Sequence, residues 1–190
     1  MDRSQAYKQL YRRLWEVVAT KRIRNAAGAE VDLVLGYRQQ EGEAGHFQRP
    51  RADDDAGAIN IFRAVVPDPD DEPDVERAEL PKELFTLAHE FGHAISYDTG
   101  PGRQSRYLAV IDHVADLASM PAPLKQLVLD EEERAWKFGL GEMIELGYVD
   151  SDSALAAAQN RGLHIYHLTM EFPQAGCSEC SKTGHEGNRY

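Results

Sequence analysis

The stretch LPKELFTLAHEFGHAISY, residues 80–97, decides how this 190-residue chain is read. Leu84, Leu87, Ala88, Phe91 and Ile95 recur at intervals of three and four, the apolar stripe of an amphipathic helix. Pro81 suits its first turn, where no backbone N–H is needed, and Thr99, Gly100, Pro101 and Gly102 end it. Within this helix, His89-Glu90-Phe91-Gly92-His93 spells HExxH. Residues i and i+4 project from one helix face, so the two imidazoles can grip a single metal ion. Nitrogen ligands at that spacing suit Zn²⁺. Glu90 lies beside the ion without ligating. It is placed to take a proton from a water whose pKa zinc lowers toward neutrality. In a chain of this composition the pattern arises by chance with a probability of roughly 2%.

A third ligand must come from elsewhere. The metzincin continuation wants Gly three residues and His six residues after His93, but the chain has Ser96 and Thr99 there, which excludes it. A glutamate from a later helix is the other common solution, and three protein ligands leave one position open for water, as in catalytic sites. Periodicity predicts a helix over about 124–147, in which DEEERAW offers Glu131, Glu132 and Glu133. Val128, Glu132, Ala135, Trp136, Gly139, Met143, Leu146 and Gly147 share one face, and Glu132 is its only charge. The face of Glu131 also carries Arg134, Glu142 and Glu145, and that of Glu133 carries Asp130 and Lys137. A lone carboxylate on a buried face needs compensation, which a metal ion supplies. Glu132 is therefore the expected third ligand, with Asp116 and His113 as weaker alternatives.

Working outward, alternating Val31, Leu33 and Leu35 predict a strand over 30–37, and AINIFRAVV predicts another over 58–66. Residues 38–57 contain Gly42, Gly45, Pro50 and three consecutive Asp, and read as loop. The acidic, Pro-rich segment 67–79 reads as a solvated connector rather than a docking tract. Further helices are expected over about 105–118 and 153–170. From residue 173 the chain reads as a polar tail. Cys177 and Cys180 there, with His164, His167 and His185, leave open a second, structural zinc site.

Composition narrows the function classes. The net charge is −11, yet residues 1–24 carry seven cations against Asp2 and Glu16. In that segment Tyr7, Leu10, Tyr11, Leu14, Trp15 and Val18 repeat at helical spacing, so it reads as an N-terminal amphipathic helix packed on the core, its cations facing water. The acidic balance of the rest disfavours nucleic-acid binding. No apolar run approaches the ~18 residues of a membrane helix, and no secretory h-region is visible. Two Cys exclude a disulfide scaffold. A cytoplasmic protein is expected.

The HEFGH helix followed by ExxA, Glu132 to Ala135, resembles the ImmA/IrrE-type zincin-like (gluzincin) metallopeptidases over about residues 55–147, most specifically at those two motifs. Trp136 stands where that family usually has Asn or Asp. The resemblance implies His89, His93 and Glu132 as zinc ligands, Glu90 as catalytic base, and regulatory proteins such as repressors as substrates. It also implies that the strand at 58–66 is an edge strand that binds substrate by β-augmentation. The expected fold is α+β and zincin-like, a small twisted sheet packed on the HExxH helix plus further helices. It should form one domain over 1–172 with a tail at 173–190. The expected function is zinc-dependent hydrolysis of peptide bonds in a peptide or protein substrate, with one catalytic Zn²⁺. The alternative is a non-catalytic regulatory module on the same fold. Tyr97, His113 and Tyr148 are available to stabilise an oxyanion, and nothing in the sequence selects one.

Overall fold

The structure, a computed structural model, describes residues 2–39, 44–64, 73–99 and 118–148, with Gln159, Asn160, Gly162, Leu163, Tyr166 and Met170. His113, Asp116, His164, His167, Cys177, Cys180 and His185 lie outside the described residues. So do the helix expected over 105–118, save Ala118, and most of that expected over 153–170.

The protein is α+β. Among the described residues it has α1 (Arg3–Ala19), β1 (Arg22–Arg24), β2 (Glu30–Gln39), β3 (Gly45–Gln48), β4 (Ala56–Arg63), α2 (Lys82–Thr99) and α3 (Ala122–Glu145). No helix among them is long and apolar enough to cross a membrane. The chain divides into two compact units. One comprises Met1–Gly100 and Arg134–Val149, the other Pro101–Glu133 and Asp150–Tyr190. The division falls inside α3, which runs unbroken through it.

In the first unit the four strands lie in the order β1-β2-β4-β3, with β2 and β4 parallel and the outer pairings antiparallel. Alternation in β2 buries Val31, Leu33 and Tyr37 and exposes Asp32 and Val34, the period-two pattern of a half-buried strand. Ile59 and Ile61 of β4 are fully buried. Two strands were not expected. β1 is short and contributes only Ile23 to the core. It turns into β2 through Asn25, whose Oδ1 accepts from the N–H of Ala27 and Ala29, and through Gly28 at φ 84°, a left-handed conformation that glycine adopts without a Cβ clash. β3 lies within the stretch read as loop. Its presence corrects the edge-strand expectation as well: β4 is paired on both sides, and the outer strands among the described residues are β1 and β3, with β3 beside β4.

α1 buries Leu10, Tyr11, Leu14, Trp15 and Val18, the expected stripe without Tyr7, and the helix expected over 1–24 ends at Ala19, with Arg22–Arg24 forming β1 instead. α2 packs against α1, β1, β3 and β4. Pro81 stands just outside α2, and its carbonyl accepts the N–H of Phe85. α3 ends where Gly147, at φ 95°, lets the Tyr148 N–H reach the carbonyl of Met143 and its own N–H reach Ile144, a Schellman cap.

The start of α2 is pinned by a buried ionic cluster. The Arg63 guanidinium donates to both carboxylate oxygens of Glu83, at 3.0 and 2.6 Å, and to Asp74 at 2.8 Å. It lies 3.9 Å from the ring centroid of Tyr37, whose hydroxyl is 3.1 Å from that of Tyr11. The described end of the acidic connector is thus docked on the chain's own cations, with Glu76 also accepting from Lys8 and Arg12. In the second unit Met120, Val128, Leu129 and Met170 form a buried cluster. Nearby, the Lys125 ammonium donates to the carbonyls of Ala118 and Met170.

Removing one partner of a buried ion pair leaves uncompensated charge, at a cost of about 3–5 kcal/mol. Arg63→Ala should destabilise the protein by about that much, read as a lowered urea midpoint. Burial, with the neighbouring hydroxyl and the Glu83 carboxylate, drives the Tyr11 phenol well above its ordinary range, and burial raises Tyr37 to about 12. The unfolded chain releases these protons near pH 10 while the folded chain keeps them, so stability is complete below pH 10 and falls as pH rises beyond it. The slope is about 1.4 kcal/mol per pH unit for each such tyrosine. Urea unfolding from pH 9 to 11.5 should show this slope, and Tyr11→Phe should reduce it.

Candidate metal centre

The site begins with a close crossing of two helices. A Cβ placed on Gly92 of α2 would stand 1.8 Å from the carbonyl oxygen of Ala135 in α3, and one on Gly139 would stand 2.0 Å from that of Ala88. Those positions are already filled by backbone, so the helices touch main chain to main chain. The paired positions run in opposite directions, 92 with 135 and 88 with 139, so the helices cross antiparallel. Each helix contributes two small residues one turn apart, Ala88 with Gly92 and Ala135 with Gly139, and so presents a flat face.

The candidate site side chains border that contact. His89 and His93 each follow one of the small residues of α2, and Trp136 follows Ala135. Glu132 lies one turn before Trp136 on the same face of α3. Opposite helix directions bring Glu132 toward the His93 end of α2 and Trp136 toward the His89 end. The geometry agrees: the His89 ring is 4.5 Å from the Trp136 ring and 4.6 Å from the His93 ring. Ligand atoms of His89, His93 and Glu132 lie within 4.8 Å of one another, and this is the group of that kind among the described residues.

These three residues can hold a metal ion. Three atoms at the corners of a triangle with 4.8 Å sides have a common centre 4.8/√3, about 2.8 Å, from each. Small side-chain adjustments bring that to the 2.0–2.2 Å of nitrogen and carboxylate ligation. Glu132 is 2% exposed. Burying a carboxylate is costly unless positive charge or hydrogen bonds face it, and a cation beside two imidazoles is such a charge. Glu131 is buried as well, which the helical phase did not predict, but it does not join the group.

Glu90 is buried between the two histidines in sequence, on the side of α2 that faces β3. A Cβ on Gly45 of β3 would meet Thr86 Cγ2 at 2.6 Å and Glu90 Cγ at 3.3 Å. Only glycine lets the edge strand lie this close to α2. The oxyanion candidates fare differently. The Tyr97 hydroxyl donates to the Pro50 carbonyl at 3.1 Å, and burial raises its pKa. Tyr148 packs between the rings of Tyr7 and Phe85.

Helix propensity and packing make opposite forecasts for Gly92→Ala. Propensity favours alanine by about 1 kcal/mol, whereas the overlap forces the helices apart, an overpacking cost of about 1–3 kcal/mol or more. A contact of 1.8 Å with backbone decides for the overlap. The variant should lose about 2 kcal/mol in urea unfolding and bind metal at least tenfold more weakly. Gly141→Ala, where an added Cβ meets nothing within 4 Å, should gain about 0.5–1 kcal/mol.

No family model matches the chain, and no curated protein or solved structure is significantly similar to it.

Proposed function

We propose that this protein is a zinc-dependent peptidase of zincin-like fold. The observation that carries the reading is the convergence of His89, His93 and Glu132 on one centre, with Glu90 on the same helix between the two histidines. Two nitrogens and one carboxylate form the donor set of catalytic zinc, which leaves a position for substrate or water. Zinc bound there supplies Lewis-acid polarisation of a carbonyl and acidification of water.

The remaining work falls to the chain's own residues. His89 and His93 are held one turn apart by α2 and Glu132 by α3, so the donors are set by the helix crossing rather than by a loop. The Glu90 carboxylate accepts a proton from the attacking water and passes it to the departing amine. Its burial against β3 keeps bulk water from competing for that proton. The free edge of β3 takes the substrate in extended form through main-chain hydrogen bonds, which sets a scissile carbonyl along the side of α2 that carries Glu90. A protein segment able to unfold locally into a strand fits such an edge.

Purified protein should bind about one zinc per chain, measured by elemental analysis, and His93→Ala should bind none. Glu90→Gln should keep the metal and lose cleavage of a quenched-fluorophore peptide library by about 10²–10⁴-fold. Full zinc content in His93→Ala, or undiminished cleavage by Glu90→Gln, would end the reading.

A further inference from the structure

The indole of Trp136 lies against the imidazole of His89, with ring centroids 4.5 Å apart and planes inclined by 33°. It is 6% exposed. A metal-binding histidine needs its ring turned so that a nitrogen lone pair points at the ion. Metal sites commonly fix that rotation from outside the ligand set, by a hydrogen bond from the second ring nitrogen. Here α3 places a flat aromatic surface beside the ring. Trp136 is directed there by the backbone contact of Ala135, the residue before it, with Gly92. It shares a helix face with Glu132 one turn earlier, so one face of α3 presents both a ligand and a wall for another ligand. The His93 ring also lies close to that of His89, with centroids 4.6 Å apart and planes inclined by 74°.

We propose that Trp136 is a positioning residue, which holds the His89 ring by aromatic contact in the orientation that binds metal. This rests on the metal-centre reading above. It predicts two properties that bulk alone would not give. The ring contact is replaceable by phenylalanine but not by an aliphatic side chain, and the indole lies near enough to the ion for its emission to respond to a quenching metal.

The experiment uses the full chain carrying Trp15→Phe. Since there are two tryptophans in the sequence, Trp136 is then the sole indole fluorophore. Trp15 stacks on Tyr37 at 5.1 Å, so phenylalanine retains a ring there. Co²⁺ is titrated while its visible absorption band and the indole emission are recorded. Zn²⁺ affinity is measured separately by competition with a chelator. Bound Co²⁺ should quench Trp136 emission by half or more, saturating at one ion per chain. Zn²⁺ affinity should fall tenfold or more in Trp136→Ala and Trp136→Leu, and stay within threefold of the parent in Trp136→Phe. Should the alanine variant not fold, the leucine variant and the quenching decide. A Co²⁺ band without quenching, or parental zinc affinity in the leucine variant, overturns the positioning role while leaving the metal centre intact. Absence of any bound metal in the parent overturns both.

Discussion

Main chain touches main chain where α2 crosses α3, and the candidate site depends on that contact. Side chains of ordinary size hold packed helices 8–10 Å apart. With Ala88, Gly92, Ala135 and Gly139 at the crossing, the separation is instead set by backbone atoms. A carbonyl oxygen occupies the place of a Cβ on either glycine. Glutamate and histidine side chains are short, and metal–ligand bonds are shorter still. A wider crossing would leave the Glu132 carboxylate out of reach of the two imidazoles. The glycines lower helix propensity by about 1 kcal/mol each, so local stability is given up for proximity.

The rest of the first unit fixes the other faces of α2. The first turn is anchored by Glu83, which accepts from both the Arg63 guanidinium and the Glu79 backbone N–H. Arg63 ends β4, and Asp74 belongs to the connector between β4 and α2. A single guanidinium therefore ties the strand, the connector and the helix start together. Buried ion clusters add little net stability compared with apolar packing, but they penalise every arrangement that separates the partners. This cluster specifies where α2 begins. Gly45 then sets its distance from β3, since a side chain at that position would collide with Thr86 and crowd Glu90.

The parts of the fold governed by periodicity were legible in the sequence. Residues 80–97, 124–147 and the stripe from Tyr7 to Val18 give α2, α3 and α1 to within a few residues, because each buries one face and the spacing records it. Strand β2 was legible for the same reason. β1 and β3 were not: three or four residues hold too few alternations to show a period, and β3 lies among Gly and Asp that signal loop. Glu132 was identified by being the only charge on its helical face, an argument that did not foresee a buried Glu131. The helix crossing did leave a signal, small residues four apart at 88 and 92 and again at 135 and 139. Such pairs become informative only when two helices carry them beside functional residues.

Those same small pairs explain how Glu132 and Ala135 of α3 meet the His89–His93 segment of α2. In α3, Ala135 makes the crossing, and Glu132 one turn earlier is the candidate ligand. In α2, Gly92 makes the crossing, and His93 after it is a candidate ligand. The residue after the alanine is then forced toward the first histidine, whatever its chemistry. Asparagine or aspartate there offers a hydrogen bond, while Trp136 offers a face. The close crossing thus leaves open how the first histidine is held, and in this chain the group beside it at that position is a ring. An indole face, unlike a carboxylate, offers a neighbouring imidazole no hydrogen-bond acceptor in the ring plane.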